Sequence, residues 1–168
     1  MSKIKGTAVD KFGYTGVITL SQYRHGKKFT VTKTHNRGGK PLFDFLAYCL
    51  AGDFTLAKLE IPTKILLLYV DDENNISRAG EIKFITISEI EKVPSIDNEG
   101  VVKYSCIIPQ EYFSGTDFNA IGLYTESARL EDIADYAALG ILDEDDIKSV
   151  SLSSVLVLDW ELHISNEL

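Results

Sequence analysis

The segment S-V-S-L-S-S-V-L-V-L-D-W-E-L-H-I-S, Ser149 to Ser165, decides the fold class. From Leu156 its even positions, Leu156, Leu158, Trp160, Leu162 and Ile164, are all apolar. The odd ones pass from Val155 and Val157 to Asp159, Glu161 and His163. Side chains alternate across a strand, so the segment reads as β with one wholly apolar face and a second face apolar only in its first half. Such a strand begins between two covered layers and runs out to a wet rim. The rest of the chain must supply the layers on which it docks.

Upstream, Gly16 to Tyr23 and Lys28 to Thr34 read as a hairpin of β composition, with Arg24-His25-Gly26-Lys27 as its turn. After the polar turn His35-Asn36-Arg37-Gly38-Gly39-Lys40 the period changes. Leu42, Phe45, Leu46, Cys49 and Leu50 recur at helical spacing, Pro41 suits a first helical position and Gly52 a stop. This predicts a short helix near residues 41–51, ragged at its start because Lys40 is a poor cap. Leu59 to Val70 is a strand with Pro62 confined to its first part or to an edge, and Ile65 to Val70, apolar on both faces, is central. Ile82 to Ile87 alternates weakly, and Ile90 to Gly100 shows no clear period. Val101 to Ile108 and Phe118 to Tyr124 are strands; Asp132 to Ile141 fits a helix or a strand equally. The expectation is an all-β chain: an antiparallel β-sandwich, jelly-roll-like, with one short α-helix, and one domain over residues 1–168.

Hydrophobic content of 45% and charged content of 25% are those of an ordinary globular domain. No apolar run is long enough for a transmembrane helix, and no secretory signal opens the chain, so the expectation is synthesis in the cytoplasm without membrane association. Cys49 and Cys106 stand in apolar contexts and read as core residues rather than as a disulfide or a metal site. The net charge of −8 hides a division: residues 1–40 hold nine basic residues and one acid, net +8, and the remainder is net −16. A basic face on one copy meeting an acidic face on the next fits this division, as in a head-to-tail ring. Arg24, Lys27, Lys28 and Arg37 on one side and Asp143, Glu144, Asp145 and Asp146 on the other are the candidate interface residues. Nucleic acid is not expected as a partner, since the basic arm lacks interleaved aromatic residues and the acidic remainder repels phosphate.

Signals for chemistry are weak. The chain has no G-x-S-x-G or H-E-x-x-H motif, and His25, His35 and His163 have no partner at metal-ligand spacing. Asp71, Glu73 and Asn75 alternate as in a calcium loop, but Ile76 stands where the turn glycine belongs and Ile82 where the closing glutamate belongs. Asp159 and Glu161 share a strand face and form the one carboxylate pair to consider for glycoside hydrolysis. Trp160 lies on the apolar parity, which favours core packing over sugar stacking. The reading is no enzyme, no catalytic residue, no cofactor and no metal.

Two sets of segments carry a resemblance. One is His35-Asn36 with its glycine turn, L-F-D-F-L-A-Y-C-L-A-G-D-F (Leu42 to Phe54) and I-P-T-K-I-L-L-L-Y (Ile61 to Tyr69). The other is N-A-I-G-L-Y (Asn119 to Tyr124), A-D-Y-A-A-L (Ala134 to Leu139) and the closing strand through Trp160 and Glu161. In this order they resemble small tail-structure proteins of bacteriophages, although Leu130 to Asp146 is longer and more acidic than that pattern. The resemblance implies a virion structural protein of the tail, self-associating as a ring, collar or baseplate element, or a fibre adaptor, in contact with other tail proteins. The alternative is a carbohydrate- or receptor-binding sandwich module of a tail fibre, which needs an exposed aromatic platform among Tyr14, Tyr23, Tyr112 and Trp160.

Overall fold

The computed structural model describes residues 11–24, 27–79, 83–94, 99–113, 117–143, 145 and 155–167; of residues 11–14, 23–24, 27–37, 99 and 165–167 it describes the backbone alone. The strands are β1 (Lys11–Arg24), β2 (Lys27–Gly38), β3 (Pro62–Val70), β4 (Ile76–Arg78), β5 (Ile85–Thr86), β6 (Glu89–Val93), β7 (Glu99–Ile108), β8 (Ala120–Thr125), β9 (Ala138–Ile141) and β10 (Leu156–Glu167). Helices are few and short: α1 (Lys40–Leu50), α2 (Phe54–Leu59) and α3 (Gln110–Phe113).

All pairings are antiparallel, in the order β4-β3-β8-β9-β2-β1-β10-β7-β6, with β5 also on β3. Two antiparallel sheets make up this ladder. They join where Asn36–Gly38 of β2 pairs with Ala138–Gly140 of β9. A second link runs through consecutive residues: Ile87 donates its N–H to the Thr63 carbonyl at 2.9 Å and Ser88 donates to the Ser105 carbonyl at 2.9 Å, on the other sheet.

The closing strand sits between β1 and β7, the central position its apolar face demands. Ile18 faces Trp160 and Leu20 faces Leu158; across the other edge Tyr104 faces Trp160 and Cys106 faces Leu158. Trp160, Ile18, Leu20, Leu156, Leu158 and Leu162 are all buried. Residues 149–154, the expected start of this strand, lie outside the described residues. On the opposing sheet Ile65, Leu66, Leu67 and Leu68 of β3 are buried on both faces, as expected. The core formed between them is one continuous cluster.

The structure departs from the sequence reading in four places. The hairpin strands β1 and β2 extend well beyond their predicted ends, because β10 pairs with β1 out to Lys11 and β9 pairs with β2 out to Gly38, so the expected polar turn from His35 begins as strand. Two further helices stand beside the single one expected, α3 and α2; Leu59, expected to open the strand, ends α2 instead, whose Asp53 carboxylate accepts from the Leu56 N–H at 3.2 Å as an N-cap. Glu89–Val93, read as irregular, pairs with β7 as an edge strand whose exposed Glu89, Glu91 and Lys92 conceal any apolar alternation. Asp132 to Ile141 is neither a helix nor one strand, since only its last four residues pair. The preceding turns are held by Tyr124, whose hydroxyl donates to the Ile133 carbonyl at 2.7 Å.

Candidate interaction surface

The interface residues expected from charge fall in three places. Arg24 and Lys27 pair across the ladder at the tip of the β1–β2 hairpin, with Lys28 opposite Tyr23. Arg37 lies at the other end of β2, opposite Leu139 of β9. Because β9 runs antiparallel to β2, it leads Asp143 away from Arg37 and in the direction of the hairpin tip. There the Asp145 N–H donates to an Asp143 carboxylate oxygen at 2.8 Å. Glu144 and Asp146 lie outside the described residues. The four basic positions therefore do not make one face; three mark the hairpin tip and one marks the junction with α1.

A surface the charge argument did not point to stands at that junction. Helix α1 starts without a side-chain cap, at Gly39. Only Leu42 of the helix is buried, while Phe45, Leu46 and Cys49 are half-buried. Leu50, expected on the covered face, is 87% exposed. It belongs to a second apolar stripe, Phe43, Ala47 and Leu50, at positions i, i+4 and i+7, and all three are exposed. After the turn at Gly52, whose φ is +75°, α2 packs against α1, and its Phe54, 70% exposed, Leu56 and Leu59 are exposed as well. A surface helix ordinarily opposes its apolar stripe with a polar one. In α1 only Lys40 and Asp44 are charged, and they pair with each other, which raises the Lys40 ammonium above its ordinary value. The missing polar face is the signal in the sequence that marks this surface.

Beside the helix pair lies a cleft of about 240 Å³ whose charged lining is Asp44, Glu60, Asp132 and Asp135 against Lys40 and Arg129. With Asp44 engaged by Lys40, the balance of the cleft is acidic. Lys64 does not neutralise it: its ammonium donates to the Glu126 carbonyl at 2.8 Å and lies 5.0 Å from the Phe84 ring centre.

The other groups singled out in the sequence have local roles. Asp159 and Glu161 share the outer face of β10, as expected. Asp159 accepts from the Ser105 hydroxyl at 2.9 Å and lies 3.8 Å from the Lys103 ammonium; Glu161 lies 3.0 Å from His163 Nε2. These are contacts between neighbours on one face of the sheet. Trp160 is fully buried and offers no platform. Tyr112 is half-buried, and the side chains of Tyr14 and Tyr23 are outside the described set. Asp71 organises its own loop, accepting from the Glu73 and Asn75 N–H groups at 2.9 and 2.8 Å and from the Asn75 amide at 3.0 Å, which lowers its carboxyl below the ordinary value. Cys49 and Cys106 are both free thiols. Among the described residues no three His, Cys, Asp or Glu side chains are placed to hold a metal, and no helix is long and apolar enough to cross a membrane. Comparison with protein-family models, curated proteins and solved structures finds no match for the chain.

Proposed function

We propose that this chain is a non-enzymatic structural protein of a bacteriophage tail, built as a jelly-roll-like β-sandwich, that self-associates into a ring, collar or baseplate-type assembly and contacts other tail proteins. The observation that carries the self-association is the set of exposed apolar side chains on α1 and α2, Leu50 and Phe54 above all. Burying a side chain the size of Leu50 or Phe54 is worth about 1.5–3 kcal/mol, and a free monomer forgoes that at each of them. The tail assignment is supported by the resemblance of the segments quoted above. Several of those segments meet in space: the glycine turn after His35-Asn36 packs on Tyr136 and Ala137, and Asn119 bonds to the end of β3.

Light scattering on the purified protein at low and at moderate salt tests the assembly. The expected result is a closed oligomer whose mass falls as salt rises. A monomer at both salts and at high protein concentration overturns self-association. Gold-labelled antibody against the protein is expected to decorate the tails of phage particles; labelling confined to heads or absent from particles overturns the tail assignment.

A further inference from the structure

We draw no further inference here: the strongest candidate, the exposed apolar stripe of Phe43, Ala47 and Leu50 on helix α1, carries nothing because nothing in the structure shows what covers it.

Discussion

At the scale of single residues, Asn119 shows how one side chain can stand in for backbone. Its amide donates to the Val70 carbonyl at 2.8 Å and its carbonyl oxygen accepts the Val70 N–H at 2.7 Å, so it reproduces both bonds of a ladder pair one step before β8 begins. Asn119 is itself buried, as is Val70. Leucine fills a similar volume but leaves a buried N–H and a buried C=O without partners, at about 1–3 kcal/mol for each orphaned group. Asn119→Leu should therefore lower stability by about 3 kcal/mol, seen as a lower urea midpoint at unchanged slope. Asn119→Asp keeps an acceptor for Val70 N–H but turns a second acceptor on the Val70 carbonyl, so it should not rescue the loss. Gly122 in the same N-A-I-G-L-Y segment is set by space: a Cβ there would lie 2.5 Å from the Tyr124 ring and 3.0 Å from Leu68. Tyr124 cannot yield easily, since its hydroxyl is tied to Ile133 and its ring meets Phe84 with centroids 5.3 Å apart.

At the scale of elements, the placement of α1 depends on the glycines at its two ends, for different physical reasons. Gly39 has ordinary extended dihedrals, but a Cβ would fall 1.9 Å from the Tyr136 carbonyl oxygen, while its N–H donates to Ala137 at 2.8 Å. The obstacle is backbone and cannot swing aside. Gly39→Ala should cost at least about 3 kcal/mol and loosen α1 from β9. Gly52 has φ +75° with nothing within 4 Å of a Cβ, so Gly52→Ala meets only the left-handed penalty of about 1–2 kcal/mol. Urea denaturation of the two variants should rank them in that order, with amide exchange in α1 accelerated far more by the first. Much of this element was legible in the sequence. The helix, its proline near the start and its glycine stop all follow from local pattern, as do the central β3 and the docking of β10. What local pattern could not supply was the non-local partner. Gly39 reads as a flexible turn residue until Tyr136 is found above it, and Leu50 reads as core until the rest of the helix is seen to be just as apolar. The charge pattern named Arg37 with the hairpin residues, but sequence proximity carried no information that β2 is long enough to hold them at opposite ends. Edge strand β6 escaped because exposed strands carry charge on both faces and so lose the period of two.

At the scale of the whole molecule, the core is held by groups that tolerate water and charge poorly. Tyr104 and Cys106 point from β7 into the space under Trp160 and Leu158, and burial pushes each of them up to about 12, from 10.0 and 9.0. Burial also raises Tyr124 on the opposing sheet. A raised folded value means that the unfolded chain gives up its proton first as pH climbs. The stability these groups contribute is thus complete below about pH 9, begins to fall as the unfolded thiol ionises, falls faster past pH 10, and is lost as pH passes the folded values. The urea midpoint should accordingly stay level through neutral pH and decline above pH 9. General charge repulsion also grows in that range for a chain of net charge −8, so the decline alone does not identify its source. Cys106→Ala separates the two. It removes the group that ionises earliest in the unfolded chain and leaves the surface charge untouched. Its midpoint, lower than wild type at pH 7 because the sulfur leaves a small void, should hold level to about pH 10 before falling. If its curve instead runs parallel to wild type from pH 9 upward, surface repulsion governs the alkaline loss and the buried thiol contributes nothing to it.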